Sequence, residues 1–143
     1  MVLGVNLTGV WLCMKSELRQ MLAQGGGAIV NMASVAGLVG SRVGCAYTAS
    51  KHGVIGLTKA AALEYAQAGI RVNAVCPSWI ETPLTLRATS GNPELKTQIV
   101  ARQPSGRLGT VEQVADAVVW LASDRASFVT GHALPVDGGF VAQ

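Results

Sequence analysis

An α/β fold built on a three-stranded parallel sheet is what this sequence predicts, from two observations. Short apolar runs, Ala28-Ile29-Val30-Asn31-Met32, Ile70-Arg71-Val72-Asn73-Ala74-Val75-Cys76 and Ala133 to Val136, alternate with stretches of helical periodicity. Near-continuous apolar strands separated by helices belong to a sheet covered on both faces and joined by right-handed crossovers. With 143 residues, half of them hydrophobic, one core and a single domain over 1–143 are expected.

Each element follows from local chemistry. Val10, Trp11, Met14, Leu18, Met21 and Leu22 recur at helical spacing among Lys15, Glu17 and Arg19, and the pattern stops at Gly25-Gly26-Gly27. The residues before Val10 read as the interior of the same helix. After the first strand comes a Gly- and Ser-rich loop to about Gly44, then a long helix from about Ala46 to Gln67. Gly53 and Gly56 lie inside it, each costing roughly 1 kcal/mol against Ala, so close packing is expected at both. Gly69 ends this helix and Pro77 closes the second strand. Thr82-Pro83 starts a more polar stretch to about Gly106, with Ser90, Gly91, Asn92 and Pro93 as breakers; short helices in a mobile excursion, a substrate lid over 82–106, are expected. Thr110 and Gln113 have capping-box spacing ahead of Val114, Val118, Leu121 and Ala122, giving a helix that ends near Ser123.

Composition excludes several functions. The net charge of +3 comes from eleven basic and eight acidic side chains scattered along the chain, with no run that would track phosphates, so a nucleic-acid role is not expected. The longest uncharged run, between Arg19 and Arg42, holds Gln20, Gln24, Asn31, Ser34 and three glycines, unlike a membrane span. The first residues have no positive region ahead of their apolar ones and no small-residue cleavage site, so they are not expected to be a secretory signal. Cys13, Cys45 and Cys76 match no metal-ligand spacing and are odd in number, which reads as reduced thiols in a cytoplasmic protein; no metal is expected.

In open parallel sheets ligands bind beyond the carboxyl ends of the strands. Ser34 follows the first strand there. Tyr47 and Lys51 lie thirteen and seventeen residues further on, and their spacing of four puts them on one helix face. A free tyrosine ionises near pH 10, but an ammonium about 4 Å away favours the phenolate by on the order of 4 kcal/mol at an effective dielectric near 20, enough for acid/base work near neutrality. Ser34 would hold the substrate oxygen. Alone, Ser34 reads as a turn cap and the Tyr-x-x-x-Lys pair as chance; the weight lies in the constellation.

With Asn6, Ser34, Tyr47 and Lys51, and with Ile29-Val30-Asn31 and Tyr47-Thr48-Ala49-Ser50-Lys51-His52-Gly53 around them, the sequence resembles the short-chain dehydrogenase/reductase family. Arg71-Val72-Asn73-Ala74-Val75-Cys76-Pro77, Gly106-Arg107-Leu108-Gly109 and Val136-Asp137-Gly138-Gly139 extend the likeness to almost every segment. The resemblance implies the C-terminal portion of a Rossmann-like, doubly wound sheet and an oxidoreductase that moves hydride between NAD or NADP and an alcohol or carbonyl substrate. It implies that Tyr47 is the acid/base, that Lys51 supports it and holds the nicotinamide ribose, that Ser34 orients substrate and that Asn6 holds a proton-relay water. Pro77, Ile80 and Thr82 would line the nicotinamide site, Ile80 by its backbone and Thr82 by its hydroxyl, with a plain helix cap the other reading of Thr82. Residues Thr82 to Gln103, with Trp79 beside them, would bear on substrate choice.

Two departures stand out. Ser78 occupies a position where the family commonly has glycine, which would alter the backbone if that turn needs positive φ. The glycine-rich phosphate loop and the adenine-side determinant of the family would precede Met1, and Gly25-Gly26-Gly27, Gly37, Gly40 and Gly44 lack its spacing and read as turn glycines. The chain thus resembles a truncated member whose first strand lacks a neighbour and whose own cofactor binding is weak. The competing expectation is a non-catalytic module that self-associates through its first two helices; family members pair through these into dimers or tetramers.

Overall fold

Backbone hydrogen bonding in the computed structural model, which describes residues 1–143, orders three strands as β1 (Gly27–Met32), β2 (Ile70–Pro77) and β3 (Ala133–Val136), all parallel. Gly27 pairs with Ile70 through to Met32 with Val75, and Ala74 with Ala133 through to Pro77 with Val136. The predicted class holds, and so do the positions of the strands. β2 is central and is buried without a break from Val72 to Cys76, because helices cover both of its faces. β1 pairs with β2 alone and forms one edge of the sheet, as expected.

Helix α1 (Gly9–Gln24) and helix α2 (Cys45–Tyr65) cover one face. Met14 and Leu18 of α1 meet Ile29, Ala61, Ala62, Ile70 and Val72 there, while Val54 and Ile55 of α2 pack with Ala33, Ala74 and Cys76. The opposite face is covered by Val114 and Leu121 of a later helix, packed on Val75. Gly25 adopts φ 84° and its N–H returns to the Met21 carbonyl, which ends α1 as the glycine run predicts. Two features differ from the sequence reading. The stretch ahead of α1 is a π-helical turn, Gly4–Thr8, for which composition carries no signal, and α2 gives way at Ala66 to a 3₁₀ turn, so it stops short of Gln67.

The two glycines of α2 part company. A Cβ on Gly53 would lie 2.8 Å from a methyl of Leu7, so Gly53 admits the π-helical turn against α2, whereas nothing lies within 4 Å of such a Cβ on Gly56. Close packing was expected at both and is found inside the chain only at Gly53.

Past β2 the chain forms α3 (Pro83–Thr89) and α4 (Pro93–Ala101), each with proline in its first turn and a side-chain cap, Thr82 on Thr85 N and Asn92 on Leu95 N. The base of this excursion is clasped: Glu81 N–H donates to the Gly109 carbonyl at 2.9 Å, and Gly109 N–H to the Trp79 carbonyl at 3.0 Å. Helix α5 (Val111–Ala122) then starts with the full Thr110/Gln113 capping box. Its C-terminal end is held by Arg71 of β2, whose guanidinium donates to the carbonyls of Leu121 at 2.7 Å and Ser123 at 3.0 Å. Buried Asn73 bridges Val129 and His132, which fixes the approach to β3. No helix is long and apolar enough to cross a membrane, and all three cysteines are unpaired.

Candidate functional site

Parallel strands deliver their carboxyl ends to a single edge of the sheet, and here that edge gathers Ser34 beyond β1, Pro77 at the end of β2 and Asp137 after β3. Ser34 has extended backbone, and its Oγ accepts from Ala36 N–H at 3.1 Å, capping a 3₁₀ turn at Val35–Gly37. The cap uses one lone pair. The hydroxyl proton meets only the Pro77 carbonyl, at a long 3.5 Å, so it is free to be re-aimed at a substrate oxygen.

The loop from Leu38 to Gly44 feeds α2, which carries Tyr47 in its first turn and Lys51 one turn later, both half-buried. The Lys51 ammonium stands 5.7 Å from the centroid of the Tyr47 ring and donates to the Met32 carbonyl at 2.9 Å. That carbonyl, the last of β1, ties the lysine to the sheet edge. Burial pulls the Lys51 ammonium below its ordinary range, with the neighbouring Cys76 opposing this. Burial likewise pushes the Cys76 thiol up to about 11, against the pull of the Ser34 backbone N–H and of Lys51, with Asp137 adding to the rise. Ser34, Lys51 and Cys76 therefore interact across the ends of β1 and β2.

Asn6 sits half-buried on the π-helical turn, its side chain making no hydrogen bond within the chain, and the next residue, Leu7, packs on Gly53 two positions beyond Lys51. A π-turn breaks helical regularity and often marks a functional position. Around Pro77, a parallel bridge joins Ile80 to Gly109 and consumes the flanking Trp79 carbonyl and Glu81 N–H. The N–H and C=O of Ile80 itself make no bond and remain available to a ligand. Thr82 is a helix cap here: its Oγ accepts from Thr85 N–H at 3.2 Å. Ser78 strains nothing, since no residue other than glycine has positive φ.

Three contributors escaped the sequence reading. The Met32 carbonyl and the Cys76 thiol carry no motif. Gly37, read as a turn glycine, is buried, and a Cβ there would fall 2.6 Å from the Lys51 carbonyl oxygen and 2.8 Å from its carbon, so this glycine sets how closely the Ser34 turn approaches Lys51.

A doubly covered parallel sheet with crossover helices defines a Rossmann-type α/β fold, here with a serine, a tyrosine and a lysine at its carboxyl edge. A sequence model described as enoyl-(acyl carrier protein) reductase matches residues 1–141. The chain is 51% identical over 142 residues to cis-4-hydroxycyclohexanecarboxylate dehydrogenase of Sinomonas cyclohexanicum, covering 99% of this chain and 55% of that protein. It is 50% identical over 142 residues to cyclohexanol dehydrogenase of an Acinetobacter species, covering 99% of this chain and 54% of that protein. The structure of a gluconate 5-dehydrogenase from Burkholderia cenocepacia, in complex with NADP and tartrate, superposes with a TM-score of 0.91 at 34% identity, covering 97% of this chain and 54% of that one. The chain belongs to the short-chain dehydrogenase/reductase family, and it spans a little over half the length of these relatives.

Proposed function

We propose that residues 1–143 form the substrate-activating side of an NAD(P)-dependent oxidoreductase that interconverts a secondary alcohol and its ketone. The observation that carries this is the grouping of Ser34, Tyr47 and Lys51 at the carboxyl edge of the sheet, with the lysine cation over the tyrosine ring. Relatives named for cyclohexanol and for a hydroxycyclohexanecarboxylate favour a secondary alcohol as substrate.

Alcohol oxidation removes a hydride from carbon and a proton from oxygen. The nicotinamide cofactor, when bound, supplies the hydride acceptor. Tyr47, as phenolate, takes the hydroxyl proton and returns it in the reverse reaction. Ser34 hydrogen-bonds the substrate oxygen through its free hydroxyl and keeps its proton. Lys51 stabilises the phenolate electrostatically and offers its ammonium to the ribose hydroxyls, while Asn6 holds a water that passes the proton on to solvent. The free backbone groups of Ile80, with Pro77 beside them, suit a carboxamide, and the Thr82 hydroxyl serves it while still capping α3. This donor set fits the nicotinamide and ribose. The pyrophosphate has no comparable cradle within these residues: positive-φ Gly25, Gly26 and Gly69 lie at the opposite, amino-terminal edge of the sheet, and Gly138 and Gly139 at the carboxyl edge precede no α-helix, with the Gly139 N–H spent on Asp137 Oδ1. The excursion from Thr82 to Gly106 serves as the substrate lid.

The test is a chimera carrying the N-terminal segment of the Acinetobacter cyclohexanol dehydrogenase ahead of Met1, assayed with cyclohexanol and either NAD or NADP. Tyr47→Phe is expected to lower kcat by at least about a hundredfold with an unchanged unfolding midpoint. Lys51→Ala should raise the KM for cofactor, because the ribose hydroxyls lose their ammonium donor. Turnover retained by Tyr47→Phe would sink the assignment.

A further inference from the structure

Beyond the reacting groups, one side-chain hydrogen bond joins the excursion to the turn that follows β2. Ser78 Oγ donates to Gln103 Oε1 at 2.8 Å. Gln103 lies just past α4, is only 4% exposed, and its remaining groups are taken: Nε2 donates to the Ile99 carbonyl at 3.4 Å, its N–H to Val100 at 2.9 Å, and its carbonyl accepts from Gly106 at 2.8 Å. The buried carboxamide oxygen depends on the Ser78 hydroxyl alone.

The bond sits where it has leverage. Ser78 immediately follows Pro77, whose carbonyl is the second neighbour of the Ser34 hydroxyl, and its own N–H donates to the Val136 carbonyl at 3.3 Å, which anchors the turn to β3. Beyond Gln103, Ser105 N–H donates to the Gly138 carbonyl at 3.2 Å. The excursion's returning stalk is thus fastened to the sheet by one backbone bond and one side-chain bond, with a cavity of about 160 Å³ between them lined by Trp79, Ile80, Arg107 and Asp137.

We propose that Ser78 and Gln103 form a latch that holds the end of α4 against the carboxyl edge of the sheet and so positions the excursion beside Ser34. Both are positioning residues; that the excursion shapes the substrate's side rests on the proposed function, but the latch itself does not. Without the hydroxyl, the carboxamide oxygen is buried without a donor, and the stalk gains by opening to water.

Amide hydrogen exchange on the 143-residue chain tests this without requiring turnover. Ser78→Ala is expected to speed exchange at residues 99–106 by roughly fivefold, the worth of one ordinary hydrogen bond, while β2 and α2 exchange as before. Ser78→Thr restores slow exchange, since it keeps the hydroxyl and the adjoining cavity has room for a methyl group. Gln103→Leu, which removes the acceptor oxygen, should make the further Ser78→Ala change silent. Unchanged exchange in Ser78→Ala overturns the latch. Faster exchange spread equally over β2 and α2, or a failure of Ser78→Thr to rescue, also overturns it, by showing a general packing role. Loss of the oxidoreductase reading would appear instead in the Tyr47→Phe assay and leave these rates untouched.

Discussion

Cys76 shows how one buried side chain reports on its surroundings. It has no exposed surface, and burial lifts its thiol from an ordinary value of 9.0 to about 11, so the fold favours the neutral form. That preference contributes stability in full below pH 9.0 and loses it as pH rises through about 11. Lys51 acts in the opposite sense: burial disfavours its charged form, so its contribution to stability improves as pH climbs toward 10.5. Between pH 9 and 11, Cys76→Ala is therefore expected to lose less stability than the unsubstituted chain, as read by urea midpoints at the two ends of that window. At pH 8, iodoacetamide should modify exposed Cys13 and Cys45 and reach Cys76 only after unfolding. Labelling of Cys76 at the same rate as the other two would show that the edge of the sheet is open. The residues proposed to react could be picked out in the sequence because their spacing, Ser34 after a strand and Tyr47 four before Lys51, is a local property. Cys76 and the Met32 carbonyl were not, because their part depends on β1 and β2 lying side by side, a pairing between residues far apart in the chain.

At the level of elements, glycine is where local reading and tertiary packing diverge. Propensity alone treats Gly53 and Gly56 alike and takes Gly37 for a turn residue, yet only neighbours brought in by the fold decide what each would tolerate. A methyl group on Gly37 meets the backbone of Lys51 and cannot be relieved by a side-chain rotation. Gly37→Ala is expected to cost about 1–3 kcal/mol and to displace the Ser34 turn from Lys51. Gly56 faces open space within the helix, so Gly56→Ala should stabilise the dilute chain by about 0.5–1 kcal/mol. Urea unfolding of the two variants gives the comparison, and a matched sign for both would refute it. Gly53 lies between these cases, because the obstructing atoms are the methyl ends of Leu7. Strands and caps were readable for the converse reason. The Thr110/Gln113 box, the Thr82 cap and the Gly25 stop each satisfy backbone groups within a few residues of themselves. Arg71, which caps α5 from a strand fifty residues earlier, has no such local signature.

For the whole molecule, the balance between what the sheet edge offers and what a dinucleotide demands leads to a direct test. The carboxyl edge supplies a cation, a phenol, a hydroxyl and a free peptide group, all grouped where β1 and β2 end. A pyrophosphate calls for several backbone N–H groups at a helix amino terminus. Of the helices that leave this edge, α3 opens with proline and has Thr82 on its Thr85 N–H, and α2 starts only beyond the loop to Gly44 and carries in its first turn Tyr47, whose hydroxyl is assigned to substrate. Nicotinamide and ribose contacts alone leave the phosphates solvated, and the ordering of a flexible dinucleotide then goes largely uncompensated. Calorimetric titration of the 143-residue chain with NADH and with NADPH is accordingly expected to give no saturation in the micromolar range, and the chimera to bind at least one of them there. Micromolar binding by the chain itself would mean that a phosphate site is assembled from two copies, and the stoichiometry, one cofactor per pair or one per chain, would then say whether the free edge of β1 is where the copies meet.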